Sequence, residues 1–201
     1  PVEFMAALLT GDIDSRNFKR KDPLVEHMED CARMGVEVRP PCVNHSSVQF
    51  SVHDKAIYFG MSAIKGCGIS AAAAIVEARK KDGPFKDIYD FCERVDSSSC
   101  GKSAIESLIK SGSMDCFGAK RSQMLAVVEK AVQGGLSKAK DRRSGQGSLF
   151  SMFDEDTSST QATVATYPDI AELPEKEMLA FEKEVLGFYL TAHPLSEYKP
   201  I

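Results

Sequence analysis

Residues 61–79 read MSAIKGCGISAAAAIVEAR, and the turn at their centre, Ile64-Lys65-Gly66-Cys67-Gly68-Ile69-Ser70, decides the fold. A short apolar-ended segment from Met61 to Ile64 runs into two glycines one residue apart. Four consecutive alanines, Ala71 to Ala74, then lead into Ile75, Val76 and Ala78. Alanine is the strongest helix former, so a helix begins just after the glycines. Glycine at alternate positions permits a tight reversal and leaves no Cβ between the backbone and an incoming group. The amides of Gly68, Ile69 and Ser70 then fall at the start of that helix, where N–H groups lack intrahelical acceptors and the dipole end is positive. Such an end accommodates a phosphate.

The apolar positions Met61, Ile64, Cys67, Ala72, Ile75 and Val76 bracket Gly66 and Gly68. This spacing looks like a helix-hairpin-helix motif, a clamp on the nucleic-acid backbone that reads no bases. Lys65 would add a point charge beside a phosphate held by the amides. The competing reading is a plain helical corner of a core, with Gly66 and Gly68 as cap and turn residues.

At 201 residues the chain can bury a core in one good-sized domain or two small ones. Its 27% charged and 43% hydrophobic residues are those of a soluble globular protein, and no apolar run approaches the length of a membrane span. The six cysteines form no C-x-x-C pair and the four histidines are scattered, which argues against a structural zinc site. Single buried cysteines suit a reducing compartment, so a cytoplasmic location is expected. The opening PVEFMAALL, with Pro1 in place of Met, reads as the middle of something longer.

The net charge of −4 hides an asymmetry. Residues 119–150 carry seven Lys/Arg against two Asp/Glu, whereas residues 151–201 carry three against ten. Phosphate contacts are expected before the acidic tail.

Taken in order, residues 2–9 read as a helix stopped by Thr10-Gly11, and Pro23 opens a helix capped at Gly35. A short strand at 36–38 precedes a hairpin of 48–52 and 56–59 around His53-Asp54-Lys55. Asp82-Gly83-Pro84 ends the alanine-rich helix, and short helices follow at 88–95 and 103–110. Lys110, Ser111 and Gly112 repeat the logic of the first turn without its second glycine, a degenerate copy that core packing explains equally well. A long helix from Lys120 carries Met124, Leu125, Val127, Val128 and Val132, and passes Gly134-Gly135 into Lys138, Lys140, Arg142 and Arg143.

From Ser144 to about Ile170 the composition is that of a mobile linker. Within it stands Gln146-Gly147-Ser148-Leu149-Phe150, whose apolar pair reads as a short docking motif for another protein. A last amphipathic helix opens at Leu173-Pro174-Glu175, runs to about Leu186 and is expected to fold back on the body, holding the linker as a closed loop. Asp12-Ile13-Asp14 is read as solvated, and His193 as a turn residue.

The segments PVEFMAALLT, MGVEVRPPCVN, FGMSAIKGCG, GPFKDIYDFCERVD, LIKSGSMDCFG, GQGSLF and LAFEKEVLGFYLTAHPL occur here in an order that strongly resembles family C bacterial replicative polymerases, the DNA polymerase III alpha subunits. The resemblance covers essentially the whole chain. It implies a mainly α fold with a small β-hairpin: the end of an α/β fingers region at 1–60, then a tandem helix-hairpin-helix DNA-binding domain at 61–143. A linker with a clamp-binding motif would follow at 144–172, and a helix leading to an oligonucleotide-binding fold at 173–201.

The resemblance also implies duplex DNA contacts at Lys65, Gly66, Gly68, Ile69 and Ser70, with Lys110 and Gly112 in the second copy. Gln146, Ser148, Leu149 and Phe150 would bind a sliding clamp, and other replicative holoenzyme subunits are further expected partners. The palm carboxylates that bind Mg2+ lie upstream of residue 1 in such proteins, so no polymerisation and no cofactor are expected of this stretch. Two rival readings are a helical domain that binds only protein, and the translesion paralogue of the same polymerase family.

Overall fold

The computed structural model describes residues 2–15, 22–144 and 166–190. Helix α1 (Val2–Asp12) runs through Gly11 and ends one residue later, followed by a 3-10 turn at Ile13–Ser15. Asp12 is buried, correcting the expectation of a solvated pair: His27 Nδ1 donates to its carboxylate over 2.6 Å. That bond ties α1 to α2 (Pro23–Arg33), which starts as the sequence suggests. Pro23 occupies the first turn, and Asp22 accepts from the amide of Leu24 at 3.2 Å. At the other end Gly35 takes φ +69° and Val36 N donates to Cys31 O over 2.9 Å, a Schellman closure.

Strand β1 (Val38–Arg39) lies parallel to β3 (Ala56–Tyr58), which pairs antiparallel with β2 (Ser51–His53), giving the order β1-β3-β2. The expected hairpin is present. Its two turn residues, Asp54 and Lys55, both have positive φ, as a two-residue hairpin loop with primed geometry demands. The short strand expected at 36–38 stands at Val38–Arg39, and what a local reading does not reveal is its parallel pairing with β3.

One apolar core passes from this sheet into the helices. Phe50 and Phe59 meet edge-on with centroids 4.8 Å apart, and Phe59 faces Phe188 from the far end of the chain at 6.0 Å. Ile57, Met61, Ile64, Ile75, Phe91, Leu108, Ile109 and Met114 continue the core without exposure beyond a few per cent. Each such aliphatic or aromatic side chain removed from water stabilises by about 1.5–3 kcal/mol.

The helical part begins with a 3-10 turn at Met61–Ala63 and continues as α3 (Ile69–Asp82), α4 (Ile88–Arg94) and α5 (Lys102–Lys110). A second 3-10 turn at Asp115–Phe117 precedes α6 (Arg121–Ser144), and α7 (Glu175–Leu186) closes the set. Arg94 stacks 4.4 Å above the Phe85 ring and donates to the Ala78 and Gly83 carbonyls, neutralising the negative end of α3. Helices α4 and α6 lie so close that a Cβ on Gly135 would collide with the Cys92 carbonyl.

Residues 166–172 differ from the expectation of a mobile linker that extends to residue 170. They are strapped across the start of α6. Lys120 Nζ donates to Ile170 O at 2.9 Å, Gln123 Nε2 to Pro168 O at 2.7 Å and Ser122 Oγ to Ala171 O at 2.8 Å. Helix α7 then packs against α5, as the amphipathic pattern requires.

Candidate nucleic-acid interface

Two helical hairpins can be compared atom by atom. In the first, Met61–Ala63 leads through Ile64, Lys65, Gly66 and Cys67 to Gly68, the N-cap of α3. Ile64, Cys67, Ala71, Ala72 and Ile75 are buried, whereas Lys65, Gly66, Gly68, Ile69 and Ser70 are all exposed. The buried set fixes the turn, and the exposed set forms its tip.

The two glycines serve different ends. Gly66 has φ +87°, and a Cβ there would lie 2.7 Å from Ser107 Oγ on α5, so folding alone explains it. Gly68 has φ −70° and ψ 171°, a conformation open to any residue, and a Cβ there would meet nothing within 4 Å. Neither backbone nor packing calls for glycine at position 68.

The main-chain donors divide in the same way. Lys65 N donates to Val185 O and Cys67 N to Ile64 O, both at 2.9 Å, so those two amides are used by the protein. Among the described residues the amides of Gly68, Ile69 and Ser70 have no protein acceptor, and no side chain caps the helix. Three donors at the positive end of a 14-residue helix therefore face outward, flanked by the exposed Lys65. Ile69 is 59% exposed at the same tip, an apolar surface beside the donors.

The second hairpin is filled by the protein itself. Lys110 Nζ sits 3.0 Å from the Glu184 carboxylate and 4.9 Å from the centre of the Phe181 ring, both on α7. Gly112, with φ +78°, leaves room for the Arg121 guanidinium, which a Cβ would strike. Its amide donates to Ile109 O. At the start of α6 the Glu172 carboxylate accepts from Arg121 N at 2.9 Å and Ser122 N at 3.0 Å. The structure thus supplies the second helix with its own anion and, among the described residues, leaves the first without one. Burial alone would raise the Glu172 pKa, but hydrogen bonds from the Ser122, Leu173 and Arg121 amides outweigh it and hold the carboxyl below its usual range.

Arg121 and Glu172 carry no sequence signal for these roles, and Val185 reads only as part of the apolar stripe of the last helix. A backbone carbonyl carries no residue signal, and a carboxylate some fifty positions from the amides it caps has no local pattern. Gln146, Ser148, Leu149 and Phe150 lie outside the described residues. Among the described residues no group of three or more His, Cys, Asp or Glu is placed to hold a metal ion, and no helix is long and apolar enough to cross a membrane.

A family model described as a helix-hairpin-helix motif matches residues 35–124, which contain both turns. The DNA polymerase III subunit alpha of Vibrio cholerae is 39% identical over 199 residues, 98% of this chain and 16% of that protein. Its counterpart in Deinococcus radiodurans is 39% identical over 199 residues, 99% of this chain and 14% of that protein. The Escherichia coli subunit is 34% identical over 199 residues, 98% of this chain and 16% of that protein. The chain is homologous to the bacterial DNA polymerase III alpha subunit. It spans 14–16% of the length of these alpha subunits. The mainly helical fold with a small sheet and a helix-hairpin-helix motif is the architecture that the sequence resemblance implied.

Proposed function

We propose that this chain grips the sugar–phosphate backbone of duplex DNA through its first hairpin, independently of base sequence, and helps a bacterial replicative polymerase stay on its template. The observation that carries the proposal is the open ground over Gly68, with three outward amides and no steric need for glycine. A phosphate oxygen can approach bare main-chain nitrogen there, and Lys65 adds charge without reading bases. The helix-hairpin-helix match and the alpha-subunit homology support the same role. The rival, a helical corner that binds only protein, accounts for Gly66 but gives no reason for Gly68. In this proposal the Lys110–Gly112 turn is the lesser contact, since Glu184 already shares the Lys110 charge.

Titration of labelled duplex at two salt concentrations tests the reading. Binding should be measurable at low salt and weaken steeply as salt rises, and Lys65→Glu should reduce the salt slope by about one phosphate contact. Absence of binding at low salt would overturn it.

The second part of the proposal concerns Gln146, Ser148, Leu149 and Phe150. In sequence they lie between α6 and the strap at 166–172, which is bonded to the start of α6. A peptide docked to a sliding clamp from that position joins two modest contacts by a short tether, and avidity makes release of either one seldom final. Leu149 and Phe150 are the apolar anchors and Gln146 the orienting hydrogen-bonding group. A clamp should capture the wild type and lose Leu149→Ala/Phe150→Ala; equal capture of both would reject the assignment. The clamp motif favours a replicative over a translesion parent, and the polymerisation chemistry is not assigned to these residues.

A further inference from the structure

The six cysteines fall into two chemical classes. Cys31, Cys67, Cys92 and Cys100 are buried, and burial pushes their thiols up, to about 12 for Cys67 and Cys92 and about 11 for Cys100. Such thiols are poor nucleophiles at neutral pH. Cys42 is half-buried and Cys116 exposed, on two turns that are far apart in sequence and are brought together by the Val43 N–Ser113 O and Asn44 Nδ2–Cys116 Sγ contacts.

These turns are held rigidly. Val43 N donates to Ser113 O at 2.9 Å, joining the segment between β1 and β2 to the turn between α5 and α6. Cys42 begins a closed turn in which His45 N and Ser46 N donate to its carbonyl, while its own amide donates to Ser46 Oγ. Its Sγ lies 3.3 Å from His45 Nδ1. Arg79 donates to the Val43 and Ser46 carbonyls and sets a fixed positive charge beside the same turn. Asn44, anchored to both the amide and the carbonyl of Phe85, directs its Nδ2 at Cys116 Sγ over 3.6 Å.

The geometry points to Cys42 and Cys116 as a hydroperoxide-sensitive thiol pair, with Cys42 attacking, His45 taking its proton and Cys116 resolving the product into an intramolecular disulfide. The Cys42 thiolate attacks one oxygen of the hydroperoxide. The S–O bond forms, the O–O bond breaks, and the leaving alkoxide or hydroxide takes a proton from the histidine. Cys116 then attacks the sulfenic sulfur, the S–S bond forms, the S–O bond breaks, and the hydroxide leaves as water with the Cys116 proton. Two electrons pass from the thiol pair to the peroxide. The hydrogen bond from Cys116, opposed by burial and aided by His45, holds Cys42 below the ordinary thiol range, while Cys116 is pushed up. The rise in Cys116 comes chiefly from the Cys42 thiolate beside it and lapses once Cys42 is a neutral sulfenic acid, which frees Cys116 to resolve. The bond would lock the sheet to the turn between α5 and α6, at a site separate from the first hairpin, so it does not rest on the DNA proposal.

The test is exposure of the chain to limiting hydrogen peroxide, quenching with iodoacetamide and peptide mapping without reductant. A linked Cys42–Cys116 peptide about 2 Da lighter than its two thiol components should form before the other four cysteines change. In Cys116→Ser, dimedone should trap a sulfenic acid on Cys42, and His45→Ala should slow linkage roughly fivefold. Linkage to another cysteine, or no linkage in a wild type shown folded by circular dichroism, would overturn the proposal. Equal rates in wild type and His45→Ala would overturn the role of the histidine.

Discussion

Gly66 and Gly68 stand two residues apart and answer to different forces. Gly66 needs its positive φ and yields its space to Ser107, so Gly66→Ala should destabilise the fold by about 1–2 kcal/mol, measured as a lower urea midpoint. Gly68→Ala places a methyl group in open solvent at a φ that alanine adopts freely, so its midpoint should match or slightly exceed the wild type. An equal loss in both variants would show that position 68 also serves the fold. The glycine spacing was legible in the sequence, but the division of labour was not. It depends on where α5 passes, and that is set by packing between segments about forty residues apart.

Among the elements, α3 and α6 are the second helices of two similar hairpins that differ in how their first turns are satisfied. Helix α6 is capped by the Glu172 carboxylate, so Glu172→Ala should cost about 1 kcal/mol, seen as a lower melting temperature. The pH dependence has a definite sign. The folded-state pKa of Glu172 lies below its unfolded value, so the cap contributes fully above the ordinary carboxylate pKa of about 4.3 and is lost as pH falls through the folded value. The difference in melting temperature between wild type and Glu172→Gln should therefore narrow from about pH 6 to about pH 3. A constant difference would contradict the assignment.

Helix boundaries set by local chemistry were well read. Asp22-Pro23 at one end of α2 and Gly35 at the other are examples, because caps are decided within a few residues. What escaped was non-local: the parallel pairing of β1, the burial of Asp12 by His27, and the strap at 166–172.

Across the whole molecule, the returning segment completes the first hairpin. Helix α7 supplies the Val185 carbonyl to Lys65 N, Glu184 to Lys110 and the buried Glu182 to Arg121, with Nη1 3.5 Å from its carboxylate. Phe188 joins the aromatic contacts that reach Phe59 beside the sheet. The sequence foretold a docked amphipathic helix, and the fold shows that docking also removes the Lys65 amide from the tip. Arg121→Met removes the guanidinium that pairs with both the buried Glu182 and Asp115, so a loss of about 3–5 kcal/mol is expected in denaturant unfolding. A loss under about 1 kcal/mol would mean that the Arg121–Glu182 pair contributes little to holding α7.

The central claim is that bare main-chain nitrogen over Gly68 receives a phosphate, and one added methyl group tests it most directly. Duplex affinity of Gly68→Ala should be measured beside its melting temperature in the same low-salt buffer. The account expects an unchanged melting temperature and affinity weakened about tenfold, equivalent to about 1.4 kcal/mol. Unchanged affinity in a fully folded Gly68→Ala protein would contradict it.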